Sequence, residues 1–130
     1  MPPPFRLLLT DNKVAYVMAY PSIKHNCIEC CSFDRFQEIT SIIQSLDPYS
    51  EARDAFETII LGNAVQLHLD TEGRVCIPND LTDQASIDNQ VCFVGKGVIV
   101  EMWNPQMLKE HKAKAKEIAQ RNRSLLKNII

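Results

Sequence analysis

Four side chains of the kind that bind transition metals lie close together in the first third of the sequence: His25, Cys27, Cys30 and Cys31. A structural zinc site usually needs a second pair of ligands. A redox-active Cys-x-x-Cys needs a thiol of lowered pKa at a helix start, whereas this segment has the pattern of a strand. We therefore expect buried, reduced cysteines, with no metal and no cofactor. The side chains that could complete a zinc site are Cys76, Cys92, His68 and His111.

A second candidate for chemistry is the run Asp70-Thr71-Glu72-Gly73-Arg74-Val75-Cys76-Ile77-Pro78. Asp70 is a turn acceptor, Gly73 permits a positive φ at the corner, and Pro78 suits the start of a helix. The guanidinium of Arg74 offers a bidentate fork that fits a phosphate or a guanine edge. Alternatively, Arg74 pairs with the acidic side chains of the turn, as exposed arginines commonly do. These residues alone leave both interpretations open.

Composition limits the classes of protein that fit. A chain of 130 residues with 45% hydrophobic content suits one compact domain or two very small ones sharing a core. No Ser/His/Asp order, glycine-rich phosphate loop or paired-carboxylate motif occurs, so we do not expect an enzyme. The amino terminus lacks the pattern of a signal peptide and no apolar run could span a bilayer. With five cysteines, an odd number, we expect free thiols in the cytoplasm and no membrane contact.

Charge is distributed unevenly along the chain. Residues 1–105 hold seven Lys or Arg against fourteen Asp or Glu, a net of −7, whereas residues 106–130 hold seven against two, a net of +5. An acidic body does not attract nucleic acid, so any DNA contact must come from a local patch, or from its repetition in an oligomer.

Apolar spacing predicts two helices in the middle of the chain. The first begins near Phe33, and the second is capped by Asp47-Pro48 and ends at Gly62 after about Leu61. The residues expected on their buried faces are Phe36, Ile39, Ile43 and Leu46, then Ala52, Phe56, Ile59 and Ile60.

Alternating patterns then predict two hairpins. A strand over 65–69 turns at 70–73 and returns over 74–77, and strands over 91–94 and 98–102 surround Gly95-Lys96-Gly97. A short helix fills 78–87, entered at Pro78 or capped at Asn79 or Asp80. Asn104-Pro105 opens a terminal helix. Trp103 is expected in the core. The apolar line of the terminal helix runs through Leu108, Ala115, Ile118, Leu125 and Ile129, and its basic face is either solvated or laid along DNA phosphates.

The two halves of the chain form an internal repeat. Asp11 aligns with Asp70, and the helix start at Phe33 aligns with the one at Trp103. These spacings are 22 and 33 positions, so the first copy lacks eleven residues, about one short helix. Val14 and Ala15 replace the Gly and Arg of the second copy, while Lys13 keeps a positive charge at the turn.

The run from Asp70 to Pro78 resembles the D-x-x-G-R-x-x-x-P signature of AbrB-like swapped-hairpin domains, and of the MraZ family in particular. Its neighbours match too: Leu61-Gly62-Asn63-Ala64, Val94-Gly95-Lys96 and Glu101-Met102-Trp103. The resemblance is good over residues 45–110 and weak over 1–44.

This resemblance implies an α+β fold: a double-ψ or swapped-hairpin AbrB-like β-barrel built from two repeated halves, with flanking helices and a C-terminal helix. Residues 1–47 would be a degenerate first half, 48–105 the second half with the intact motif, and 106–130 the basic C-terminal helix.

It also implies a cytoplasmic, nucleoid-associated transcriptional regulator that forms a homo-oligomer, in the shape of a ring by analogy with the family. It would bind double-stranded DNA at the promoter of the division and cell-wall gene cluster. Arg74, Gly73 and Lys13 are then the expected DNA-binding residues, and Asp70 and Pro78 shape the turn. The alternative is an AbrB-like oligomeric interaction or antitoxin-type module that has lost DNA binding.

Overall fold

The computed structural model describes residues 16–68 and 76–126, which form a mixed α+β fold around one sheet. The described residues contribute five strands, all paired antiparallel, in the order β3-β1-β2-β5-β4. No helix in these two ranges is long and apolar enough to cross a membrane. The elements are β1 Tyr16–Pro21, β2 Ile28–Cys31, α1 Phe33–Gln44, α2 Glu51–Phe56, β3 Val65–His68, α3 Asn79–Gln84, β4 Cys92–Lys96, β5 Ile99–Trp103 and α4 Pro105–Arg121.

The centre of the sheet has an approximate two-fold symmetry. β2 leads into α1 through the cap Ser32, and β5 leads into α4 through the cap Asn104. When the caps are superposed in sequence, Glu29 corresponds to Glu101, and these two residues are paired with each other across β2 and β5. The predicted correspondence of Phe33 with Trp103 is wrong by two positions, because Trp103 ends a strand while Phe33 begins a helix.

Both faces of the sheet are covered by helices. On one face, α3 packs through Leu81 and Ala85 onto buried strand residues. On the other face, α1 packs through Ile43, the turn that continues α2 packs through Ile60, and α4 begins on the same face at Leu108. The strand residues of the first face are Val17, Ala19, Ile28, Cys30, Leu67, Val100 and Met102.

The helix from Phe33 is confirmed, with Ile43 buried, but the cap of the second helix is not Asp47. The Asp47 side chain accepts a hydrogen bond from the Tyr49 amide at 3.0 Å and so closes a turn. Ser50 caps α2 instead, accepting from the Arg53 amide at 3.2 Å. A short acceptor before proline therefore indicated the right neighbourhood but the wrong capping residue.

After Phe56 the helix widens into a π-helical turn, Glu57–Leu61, and ends at Gly62 as predicted. Ile60 is buried, but Ala52 and Ile59, expected inside, are exposed. The wide turn changes the angular spacing of the side chains after Phe56, so regular helical periodicity misplaces Ile59. Ala52 precedes the wide turn, and nothing in the structure explains its misplacement. Gly62 has a negative φ, and a Cβ there would lie 2.6 Å from the Thr58 carbonyl oxygen. Close approach, rather than a left-handed cap, explains this glycine.

β3 has a partner that the sequence did not predict. β3 pairs with β1, with Val17 opposite Leu67, and Cys76 and Ile77 belong to no strand. The other members of the predicted hairpin, residues 69–75, lie outside the described residues. Alternation identifies a strand but not its neighbour, and the pairing found joins residues nearly fifty positions apart.

The remaining predicted elements are present with shifted limits. α3 begins directly after Pro78, and the chain leaves it at Ala85 rather than continuing to Ile87. The β4–β5 hairpin turns at Gly97 and Val98, since Lys96 pairs with Ile99. Gly97 has a φ of 75°, which a two-residue hairpin turn of type II′ reserves for glycine.

The opening of α4 is confirmed. The Asn104 side chain accepts from the amides of Gln106 and Met107 at 2.8 and 3.1 Å, and Pro105 occupies the first turn.

Candidate nucleic-acid interface

Most of the predicted DNA-binding residues lie outside the described part of the chain. Lys13, Asp70, Gly73 and Arg74 belong to residues 1–15 and 69–75, and only Pro78 is described. The structure therefore defines where the two segments that carry these residues, 1–15 and 69–75, join the described part of the chain. These junctions locate the candidate site.

Both segments join the sheet at the same place. Tyr16, the first described residue, is paired with His68, the last before the gap. Directly opposed residues of an antiparallel pair have Cα atoms about 4.5–5.5 Å apart. The next pair inward, Val17 and Leu67, is buried and fixes this end of the sheet to the core. The first-half segment and the Gly-Arg segment are therefore tethered side by side.

The far side of the Gly-Arg segment is also anchored. Ile77 packs against the core cluster beneath α3. The Pro78 carbonyl accepts from the amides of Leu81 and Thr82 at 3.1 and 3.3 Å, and Leu81 is buried. Cys76 and Pro78 are exposed, so the chain comes back to the body from its surface.

The loop after α3 is tied to the start of α4. Ser86 adopts a positive φ of 57°, and its carbonyl accepts from the Asn104 side chain at 2.7 Å. The Asn26 side chain donates to the Ser86 hydroxyl at 3.4 Å. These bonds connect the loop after α3 to the start of β2 and to the end of β5. They hold in place the helix that follows the Gly-Arg segment.

A buried ionic cluster lies at the centre of the sheet, and we did not predict it. Glu101 is 1% exposed and accepts from the Trp103 indole at 2.9 Å and from the Lys96 ammonium at 3.1 Å. Its cross-strand partner Glu29 accepts from the Ser22 hydroxyl at 2.9 Å. The available signal was a carboxylate alternating with apolar residues in a strand, which puts the charge on a covered face.

Three rings join α4 to the loop after β1. The rings of Trp103 and His111 stack with centroids 4.7 Å apart, and His25 lies 4.3 Å from His111. Trp103 is buried, which confirms its predicted place in the core. Burial lowers the pKa of His111, and the nearby His25 and Lys96 lower it further.

The cysteines of the metal-like cluster are free and buried, as the strand prediction required. Burial raises the pKa of Cys27 to about 12, with Glu101 adding to the rise, and raises the pKa of Cys31 to about 11. The pKa of Cys30 is raised by the same cause. These shifts are opposite to those of a reactive thiol. Across residues 16–68 and 76–126, no three His, Cys, Asp or Glu side chains are grouped as metal ligands.

Comparison with known proteins gives a consistent match. Residues 60–128 match the family described as "MraZ protein, putative antitoxin-like". The chain is 50% identical over 128 residues to the Transcriptional regulator MraZ of Rickettsia bellii (strain OSU 85-389), covering 98% of this chain and 85% of that protein. It is 48% identical to the protein of the same name from Rickettsia akari (strain Hartford), covering 98% and 86%.

Proposed function

The chain belongs to the MraZ family, and from this premise we propose that it is a DNA-binding transcriptional regulator. The observation that carries the proposal is the identity of about half the residues, over nearly the whole chain, with proteins named as transcriptional regulators. We expect no enzymatic activity, since no catalytic motif occurs in the sequence.

Arg74 is the residue assigned to read DNA, with Gly73 shaping its turn and Lys13 adding a charge from the first half. The pairing of Tyr16 with His68 supports this, because it tethers both segments at one end of the sheet. The chain outside the basic tail carries a net charge of −7. Contact with DNA therefore has to come from a small basic patch. An arginine, whose guanidinium can donate two hydrogen bonds to a guanine or a phosphate, is the side chain best suited to that contact.

The finer architecture in this proposal is an AbrB-like swapped-hairpin barrel made from two repeated halves. Residues 1–47 form the first half, 48–105 the second, and 106–130 the tail. The approximate two-fold symmetry supports a duplication, since Glu29 and Glu101 are both paired and equivalent. Each half also passes from strand to capped helix in the same way, at Ser32 and Asn104.

A homo-oligomer, in the form of a ring, completes the proposal. One Gly-Arg turn per chain gives few contacts, and the first half has lost its own fork at Val14 and Ala15. Several copies on one DNA compensate through effective concentration. The DNA assigned to the protein is the promoter of the division and cell-wall gene cluster, which places the protein at the nucleoid in the cytoplasm.

The test is a mobility shift with the DNA upstream of the protein's own gene, repeated over a salt series with a scrambled duplex as control. We expect binding that prefers the upstream DNA and weakens as salt rises, because phosphate contacts release counterions. Val14→Gly with Ala15→Arg should tighten binding by restoring a second fork, and Lys13→Ala should weaken it slightly. Equal affinity for both duplexes would contradict sequence-specific regulation.

A second candidate function is an antitoxin-type interaction module, which the description of the matched family favours. The loss of the Gly-Arg pair at Val14 and Ala15 agrees with it. In that case the folded oligomer should bind neither duplex and should instead form a stable complex with a protein partner. The same mobility shift therefore separates the two functions.

A further inference from the structure

The second half of α4 projects from the body of the protein. From Lys112 to Leu126 every residue is exposed, although Leu108 at its start is buried. Ile118 is 52% exposed and lies one turn after Ala115 on α4. Leu125, in the short 3₁₀ turn that follows Asn122, is 77% exposed. We call the exposed apolar residues Ala115, Ile118 and Leu125 the tail stripe. An apolar helix side left in water indicates a docking surface.

The approximate two-fold symmetry of the sheet lets α4 be compared with its counterpart α1. α1 corresponds to α4, since each follows its strand through one capping residue. α1 is covered by α2, and the two helices share a cluster with Ile43 and Ile60 at its centre. Within the described residues α4 has no second helix along its tail stripe. The tail stripe is therefore open to a helix from another molecule.

The charges of this chain identify the complementary surface. Residues 33–62 hold six Asp or Glu against two Arg, whereas residues 106–130 hold seven Lys or Arg against two Glu. On the outer side of α1, Ile42 is 59% exposed and follows Asp34 and Glu38 at four-residue spacing. On α4, Lys114 and Arg121 lie beside Ile118 at four- and three-residue spacing. Each surface is an exposed isoleucine with charges of mostly one sign around it: Asp34 and Glu38 outnumber Arg35 on α1. Lys114 and Arg121 outnumber Glu117 on α4, so the net signs are opposite.

We propose that the tail stripe of one copy docks on the acidic outer side of α1 in a second copy. The inference rests on the proposed homo-oligomer and names the surface that builds it. Each chain donates a tail to one neighbour and receives one from another, and such a heterologous contact leads to a closed ring when its rotation closes. Apolar contact around Ile118 and Ile42 holds the helices together, and the flanking charges set their orientation.

Charge reversal on the full-length chain tests the surface. Lys114→Glu with Arg121→Glu makes the tail acidic, and Asp34→Lys with Glu38→Lys makes the outer side of α1 basic. Alone, each double variant sets like charges against each other and should fall from the wild-type mass to that of one chain in light scattering. Mixed in equal amounts, each finds its complement in the other, and the larger mass should return.

Lys109→Glu with Lys116→Glu is the matched control. It makes the same change in net charge on the opposite side of α4, because Lys116 lies two residues from Ile118 and Lys109 two turns earlier. This variant should keep the wild-type mass. Circular dichroism checks that all variants retain their helices.

The outcomes separate this inference from the proposed function. A wild-type oligomer whose mass is unchanged in both reversed variants would overturn the surface while leaving assembly intact. A tail variant that keeps its mass but loses DNA affinity would show that the tail contacts phosphates, which also overturns it. Monomeric wild-type protein at tens of micromolar would overturn both the surface and the ring.

Discussion

Tyr16 lies directly opposite His68 in the antiparallel pair of β1 and β3, and their rings are 5.8 Å apart. The two residues belong to different halves of the sequence. Tyr16 is the first described residue after the degenerate turn that includes Lys13, and His68 is the last described residue before the intact motif, which begins at Asp70. A pairing between the two halves therefore brings together the points at which the two copies join the sheet.

The ionic cluster should contribute to stability through Lys96. Lys96→Met leaves the Glu101 carboxylate buried with only the Trp103 indole as partner. Losing a partner of a buried charge costs about 3–5 kcal/mol, and because Lys96 is 40% exposed we expect a smaller loss, about 1–2 kcal/mol. Urea unfolding measures it. Lys24→Met, at an exposed lysine, should change the free energy of unfolding little, and an equal loss in both variants would rule out the cluster as the cause.

Two glycines should respond differently to alanine. Gly62→Ala places a Cβ 2.6 Å from a backbone oxygen that cannot move easily, and we expect a loss of about 1–3 kcal/mol from overpacking. Gly97→Ala has open space but a φ of 75°, which costs roughly 1–2 kcal/mol for an L-residue. Thermal unfolding with structure determination distinguishes them, since only Gly62→Ala should displace the π-helical turn. An undisturbed turn there would contradict this explanation.

The thiols should differ in reactivity. Cys76 is exposed and should react with a thiol reagent at once in the native protein. Cys27, Cys30 and Cys31 are buried, with pKa values raised by burial, and should react only on unfolding. Labelling followed by peptide mass analysis gives the order. Elemental analysis should find no stoichiometric zinc, and one zinc per chain that is lost together with folding would overturn the free-thiol prediction.

Stability should fall on mild acidification because of His111. Its pKa in the native protein is lowered, mainly by burial, with His25, Lys96 and Lys114 adding and Glu101 opposing. The unfolded chain therefore binds the proton first, and stability is lost as the pH falls below about 6.5. His111→Phe keeps a ring against Trp103 and should make the melting temperature less dependent on pH between 7 and 5. His68→Gln serves as the control, and an unchanged pH dependence in His111→Phe would exclude this residue as the cause.

Local signals predicted most elements correctly, because they depend on a few adjacent residues. The cap at Asn104, the helix from Phe33 and the stop at Gly62 are examples. Long-range relations were not accessible in this way. Nothing in the alternation of 65–69 identifies β1 as its partner, and nothing local distinguishes Ser50 from Asp47 as the cap.

The residues of the candidate site were predicted from motif chemistry, whereas the strand pairing that anchors them was not. Arg74 stands out as a fork beside a glycine, but the role of Tyr16 and His68 depends on strand pairing across half the chain. The hydrogen-bonded cluster around Glu101 was missed, because whether this carboxylate is buried depends on which face of the strand the helices cover.

The most direct test of the DNA-reading role is the affinity of Arg74→Ala for the DNA upstream of the protein's own gene, measured by fluorescence anisotropy at fixed salt. The comparison requires unchanged circular dichroism and unchanged oligomer mass. Removing a bidentate base contact costs about 1–3 kcal/mol at each engaged site, and several engaged copies multiply the loss. We predict affinity at least about tenfold weaker for the upstream DNA, with a much smaller change for a scrambled duplex. Unchanged affinity in the folded oligomer would contradict the assignment of Arg74 as the residue that reads DNA.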